Sequence, residues 1–252
     1  MMKNPFSLEN KTILVTGASS GIGKVTAIEI SKLGGRLIIT GRDEERLEET
    51  YNSLEGSGHK KIIADFLGEN APQTIVEQID IPINGIVHSA GVSKTIPLNF
   101  SNKKSLNELM QINFEVPFIT THLLYKKKLI ANGGAILFIS SLSGGSERGA
   151  LGMSLYAASK SAWLGAMRSM ALELITKKIR VNAVSPGMVK TNLMTNFQNI
   201  TEEDFKKDEK ENYPLGYGDP TDIAYAIIYF ISDASKWVTG ANLIMDGGAT
   251  LR

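Results

Sequence analysis

Two side chains in the stretch "SLYAASKSAW", residues 154–163, have types and a spacing suited to proton transfer. Tyr156 and Lys160 stand four residues apart, about one helical turn, so a helix places phenol and ammonium on one face. Ala, Ser and Lys all accept a helix, and Met167, Met170 and Leu174 continue it as an apolar stripe. A phenol with an ordinary pKa near ~10 is a poor proton shuttle at neutral pH, and a cation within about 4–6 Å corrects this by favouring the phenolate. The small neighbours Ala157, Ala158 and Ser159 leave room for a cofactor beside the pair. Taken alone, such a pair reads as a surface helix with a packed tyrosine and a solvated lysine, because short matches arise freely by chance.

Other stretches add chemistry. "TGASSGIG" sets Gly17, Ser19, Ser20, Gly21, Ile22 and Gly23 between an apolar run and a helix-like segment. Glycine serves where the chain turns tightly and where backbone must approach a diphosphate, and the helix that follows offers free N–H groups and its positive dipole end. Three hydroxyls, Ser140, Ser141 and Ser143, follow the run "GAILFISS"; each is a candidate to face a ligand or to satisfy turn backbone. Asn113 lies four residues before Pro117, which has no N–H, so its carbonyl is expected to be open to water or to mark a packing kink.

The elements that must position these groups alternate along the chain. "KTILVTG", "RLIITG", "KIIADF", "NGIVHSAG", "GAILFISS", "KIRVNAVSPG" and "ANLIMDGG" read as seven strands, separated by helix-like stretches. Continuous apolar strands are buried on both faces, the mark of a parallel sheet covered by helices, so the expected fold is a doubly wound α/β domain spanning 1–252. The interval 192–219, of mixed charge and expected to hold at most a short helix, reads as a substrate lid with Leu193, Met194 and Phe197 on its underside.

Composition narrows the partners. A formal charge of +1 without a basic patch argues against nucleic acid and membrane surfaces. The chain has no cysteine and three scattered histidines, which excludes disulfides and makes a metal site improbable, and no apolar run reaches spanning length. The expected setting is cytoplasmic.

Together and in this order, "TGASSGIG", "HSAG", "SS" at 140–141, "YAASK", "NAVSPG" and "TGANLIMDGG" resemble the short-chain dehydrogenase/reductase family in its single-domain form, over essentially the whole chain. The resemblance implies an NAD(P)-dependent oxidoreductase acting on a carbonyl or secondary alcohol. Tyr156 would be its general acid or base, Lys160 the partner of Tyr156 and of the nicotinamide ribose, and Ser141 the donor to the substrate oxygen. Asn113 would order a relay water. It further implies adenine contacts at Asp65 and Phe66, ribose approach at Ala90 and Gly91, and nicotinamide contacts at Pro186, Gly187, Val189 and Thr191. His88 and Ser89 depart from the commoner pair of asparagines, and His88 is expected to be buried and structural. Gly41 stands where an NAD-type aspartate would be and Arg42 follows it, which points to NADP over NAD. A 3-oxoacyl thioester reductase is the runner-up, although the segment from Ser141 to Tyr156 is about two residues longer than is usual there and no basic docking site for an acidic carrier is evident. A non-catalytic regulator should have lost Tyr156 or Lys160. Resemblance to the family's interfaces, along the helix through Tyr156–Ile175 and the final strand, implies a homodimer or homotetramer. Leu151, Met153, Leu155, Met188 and Leu193 suggest an apolar substrate pocket.

Overall fold

The computed structural model describes residues 4–145, 149–191 and 201–251. Its strands are β1 (Thr12–Thr16), β2 (Arg36–Gly41), β3 (Lys60–Ile63), β4 (Ile83–His88), β5 (Ile130–Ile139), β6 (Arg180–Pro186) and β7 (Asn242–Met245). They form one sheet, ordered β3-β2-β1-β4-β5-β6-β7, with every pairing parallel. The order reverses between β1 and β4, and a crevice opens there at the strands' carboxyl ends.

Successive strand residues feed opposite layers, as a period of two requires. On one face Leu14, Ile86, Ile136, Phe138 and Val181 pack under Ile112, Val116, Trp163 and Met167. The helices there are α3 (Ala71–Glu77), α4 (Lys103–Met110), α5 (Val116–Lys126) and α7 (Ser154–Leu174), with the single turn α6 (Leu142–Gly145) at the end of β5. On the other face Ile13, Val15, Val87, Leu137 and Val184 pack against α1 (Gly21–Lys32), α2 (Glu44–Asn52) and α9 (Pro220–Ile231), through Ala27, Ile30, Leu47, Ile223 and Ile227.

Two local features depart from the expected pattern. Between α4 and α5 the helix runs on past Pro117 through a π turn over Gln111–Glu115, with Asn113 on the wide turn. Residues 192–200 of the expected lid, with Leu193, Met194 and Phe197, lie outside the described residues. The rest of that interval holds more regular structure than expected: α8 (Glu202–Asn212) is an eleven-residue helix. The Thr201 hydroxyl accepts from the Asp204 N–H while the Asp204 carboxylate accepts from the Thr201 N–H, and Glu202 and Glu203 suit the positive end of the dipole. These local terms sustain a helix whose polar sequence shows little apolar periodicity.

Arg180 ties the sheet to α9. Its guanidinium donates to the carbonyls of Phe230 at 2.6 Å and Ser232 at 3.1 Å, and to the Ser235 hydroxyl at 2.6 Å, so it satisfies backbone acceptors that a helix end leaves open. Replacing Arg180 by methionine keeps the stem and leaves the single Ser235 hydroxyl, at 2.9 Å from the Phe230 carbonyl and 3.4 Å from that of Ser232, to serve both part-buried acceptors. The expected loss is about 2–3 kcal/mol in urea unfolding; an unchanged midpoint would show that water replaces the guanidinium at little cost.

Candidate active site

The crevice beyond β1 and β4 is a cleft of about 920 Å³. Every residue expected to touch the dinucleotide or to carry the chemistry lines it except Asn113: Gly17, Ser19, Ser20, Gly21, Ile22, Gly23, Arg42, Asp65, Phe66, Ala90, Gly91, Ser141, Tyr156, Lys160, Pro186, Gly187, Val189 and Thr191. Leu151, Met153 and Met188 join them, whereas Leu155 is not part of the wall. The cleft also takes in Phe205 and Asp208 of α8 and the following Tyr213, which sequence reasoning did not single out.

At the glycine end the backbone is packed to its limit. A Cβ on Gly17, whose φ is +68°, would fall 2.6 Å from the Ala90 Cα, and one on Gly23 would fall 2.3 Å from the Gly17 carbonyl oxygen. These two glycines let β1, the loop after β4 and the start of α1 converge. The Ala90 N–H completes the junction by donating to the Thr16 hydroxyl at 3.2 Å. Gly21 differs: its φ is +53°, it faces the cleft, and a Cβ there would meet only Thr191 at 3.5 Å. No acidic side chain occupies the first turn of α1, and the Ser20 hydroxyl is not spent on capping it. Such a cradle fits a diphosphate.

Arg42 sits at the rim of this end. Asp43 does not hold it: the Asp43 carboxylate caps α2 through the Arg46 N–H at 3.0 Å and pairs with the Arg46 guanidinium at 3.3 Å. Gly41 is closed in, since a Cβ there would lie 3.1 Å from both Cβ and Oγ of Ser19.

At the other end α7 carries Tyr156 and Lys160 into the cleft. Lys160 is only 5% exposed, and its ammonium donates to the Ile139 carbonyl at 2.8 Å. Burial lowers its pKa to about 8. Tyr156 moves in the opposite direction: burial raises the phenol, and a hydrogen bond with Ser141 pulls it partly back. In the structure burial is the larger influence on Tyr156, with Ser141 second, while one hydrogen bond of the Lys160 ammonium goes to Ile139. The three serines also separate. Ser140 is buried and donates to the Lys160 carbonyl at 2.9 Å, which makes it a staple between β5 and α7. Ser141 faces Tyr156 and accepts from the Ser143 N–H at 3.2 Å. Gly144 allows α6 to cross α7, for a Cβ there would lie 2.7 Å from the Ser161 nitrogen.

Asn113 stands one layer behind, 1% exposed. Its side chain accepts from the Val92 N–H at 2.9 Å and donates to the Val92 carbonyl at 3.0 Å and the Ser159 hydroxyl at 2.9 Å. Its carbonyl, expected to be open to water or to mark a packing kink, has one protein donor. Pro117 does leave it without a helical partner, but the indole N–H of Trp163 takes that place at 2.7 Å. His88 is buried and stacked on Phe138 at 5.1 Å, and desolvation lowers its pKa to about 3, so it is neutral and takes no part in proton transfer near neutral pH.

A cleft whose glycine turn fits a diphosphate at one end and which sets a phenol, a hydroxyl and a buried ammonium at the other suits hydride exchange with a nicotinamide dinucleotide, the chemistry of an oxidoreductase. The chain belongs to the short-chain dehydrogenase/reductase family. The family model described as Enoyl-(Acyl carrier protein) reductase matches residues 17–250. A 3-oxoacyl-(acyl-carrier-protein) reductase of Rickettsia bellii is 33% identical over 245 residues, covering 96% of this chain and 97% of the relative. A short-chain type dehydrogenase/reductase from Mycobacterium marinum superposes with a TM-score of 0.88 at 27% identity, over 98% of both chains. A structure from Beutenbergia cavernae, assigned as an NAD(P) dependent gluconate 5-dehydrogenase and holding NADP at low occupancy, superposes at 0.86 with 25% identity, over 99% of this chain and 100% of that one.

The lowered pKa of Lys160 links stability to pH. Below about pH 8 the folded chain carries a buried charge; between about 8 and 10.5 the unfolded chain binds more protons, so stability rises with pH across that window. Relative to Lys160→Met, the wild type should gain about 3 kcal/mol between pH 7 and pH 10.5, read from urea unfolding at both ends. A constant difference between the two proteins would mean that the ammonium is solvated.

Proposed function

We propose that the chain is an NADP(H)-dependent reductase of a carbonyl compound, or the dehydrogenase of the corresponding secondary alcohol. The hydrogen bond between Ser141 and Tyr156, with the Lys160 ammonium buried behind it, carries this reading. When bound, the nicotinamide supplies or takes up the hydride. Tyr156, kept protonated by burial, gives its proton to the substrate oxygen in the reducing direction, and Ser141 donates a second hydrogen bond to that oxygen as charge builds on it. Lys160 places positive charge beside the phenol and the ribose, and Asn113 orders the water that restores the proton. Asp65 and Phe66 hold the adenine, Ala90 and Gly91 admit the ribose, and Pro186, Gly187, Val189 and Thr191 receive the nicotinamide amide. The interval 192–219 acts as a lid, supported by Phe205, Asp208 and Tyr213 in the cleft wall.

A more specific reading, a 3-oxoacyl thioester as substrate, is favoured by the Rickettsia relative. Two donors converging on one point suit an oxygen, which a 3-oxo group has at the reacting carbon and an enoyl double bond lacks. The apolar walls at Leu151, Met153 and Met188 agree with an acyl chain. The assembly is a homodimer or homotetramer, in keeping with Leu172 and Ile175 exposed along α7 and Trp237 exposed near β7. The setting is cytoplasmic, in keeping with a chain without cysteine.

Tyr156→Phe should retain dinucleotide binding and lose at least about 100-fold in turnover on a panel of ketones, secondary alcohols and 3-oxoacyl thioesters followed by nicotinamide absorbance. Retention of more than about a tenth of the activity would remove Tyr156 from the chemistry.

NADP is preferred over NAD because Arg42 lies unpaired by Asp43 at the rim and Gly41 leaves no carboxylate to repel a 2′-phosphate. Arg42→Ala should weaken NADPH about 10- to 100-fold and leave NADH nearly unchanged, by fluorescence titration. Equal weakening of both would place Arg42 elsewhere than on the phosphate.

A further inference from the structure

We infer that Asp246, which does not line the cleft, is a positioning residue for its nicotinamide end: it folds the turn after β7 that holds Tyr213 over Gly187. The inference rests on the reading given above that Gly187 receives the nicotinamide amide.

Of the six stretches that carry the family resemblance, "TGANLIMDGG" alone contributes no residue to the cleft wall. Its last residues have another task. The Asp246 carboxylate turns back on its own loop: one oxygen accepts from the Gly248 N–H at 3.0 Å, the other from the Thr250 N–H at 2.8 Å and the Thr250 hydroxyl at 2.7 Å. Hydrogen bonds to a charged acceptor are the strong ones, and three on one carboxylate make residues 246–250 a single unit. Gly247 and Gly248, with φ of +60° and +86°, supply the left-handed backbone that this turn needs.

The unit is packed on two sides. On one, the Gly187 N–H donates to the Met245 carbonyl at 2.8 Å and so carries the pairing of β6 with β7 to the edge of the turn. On the other, the Leu215 N–H donates to the Gly247 carbonyl at 3.1 Å. A Cβ on Gly247 would fall 2.7 Å from the Gly216 carbonyl oxygen, and one on Gly248 would fall 3.3 Å from Cγ of Pro214, so the chain at 213–216 rests closely on residues 247 and 248. Tyr213 opens that supported segment. Its ring borders the same space as Asp246, for a Cβ on Gly187 would lie 3.2 Å from Tyr213 Cε1 and 3.0 Å from the Asp246 Cα. An edge-on contact with Tyr217 at 4.9 Å steadies the ring further. Gly187 and Tyr213 are cleft wall and Asp246 is not, so the carboxylate acts on the site through the turn it folds.

The test compares two ligands that differ in the dihydronicotinamide ring alone, NADPH and 2′-phospho-ADP-ribose; NADH and ADP-ribose replace them if the wild type prefers the unphosphorylated pair. Both carry the same phosphates, so a mere change of protein charge moves the two alike. Asp246→Asn keeps the size of the side chain and removes the acceptor for Thr250. By calorimetric titration it should weaken the dinucleotide about 5- to 20-fold and leave the ADP-ribose within about twofold. Thr250→Val, the milder change, should act in the same direction and carries the comparison if Asp246→Asn does not fold, whereas Thr250→Ser keeps the hydroxyl and should bind as the wild type does. Tyr213→Ala should show the same selective loss, and adding Asp246→Asn to it should weaken the dinucleotide no further, because the two changes act through one ring. Equal weakening of both ligands, no change in either, or losses that add in the double variant would overturn the inference. A wild type that binds neither dinucleotide counts against the cofactor reading itself, and the inference falls with it.

Discussion

The site depends on keeping one ammonium out of water. Charging a buried lysine is expensive, and the surrounding chain is arranged to make Lys160 tolerable at that depth. The end of β5 supplies the Ile139 carbonyl, Ser140 pins the Lys160 backbone to the strand, Gly144 lets α6 lie against α7, and Gly91 gives the ammonium room. Remove any of these contacts and the lysine would move toward the open cleft, where it would be an ordinary solvated cation. The same depth raises the phenol of Tyr156, so acid and cation are poised by one physical cause, desolvation, acting in opposite senses on groups of opposite charge type.

Much of this could be read before any coordinates. The seven strands stand out because a strand covered on both faces must be apolar throughout, and "TILVT", "RLIITG" and "GAILFI" are nearly so. The glycine turn is legible because its residues need conformations or clearances that other side chains lack. That Tyr156 and Lys160 share a face follows from their spacing once a helix is granted, whereas the role expected of them rests on the resemblance carried by the whole ordered set of motifs. What sequence could not show was partnership across distance. That Ser140 would turn inward and Ser141 outward depends on where α7 docks, and that the Asn113 carbonyl would meet an indole depends on a rotamer fifty residues away. Helix α8 escaped for a different reason: its stability is local, in a Thr201–Asp204 box and end charges, and a search for apolar periodicity passes over it.

The two ends of the cleft are held to different tolerances. At the glycine end the contacts are backbone on backbone, with no room for even one methyl group at Gly17 or Gly23. At the lid side the wall is made of side chains from α8 and the Tyr213 turn, tied down by the Tyr217 hydroxyl on Asp208 at 2.6 Å and by the Tyr217 N–H on Glu209 at 2.8 Å. Rigid backbone suits a ligand that never varies in shape, and adjustable side chains suit one that can.

The reversal of strand order has a consequence for how the chain comes into being. β1 lies inside the sheet between β2 and β4, so Ile13 pairs with Leu37 on one side and with Gly85 on the other. During synthesis β2 emerges well before β4, so one flank of β1 waits as an unpaired edge with Ile13, Leu14 and Val15 at its middle while the intervening helices and β3 are being made. The floor of the nucleotide cradle, where Gly17 meets Ala90, comes into existence only when that flank is covered. No amino-terminal fragment ending before residue 90 can contain the cradle.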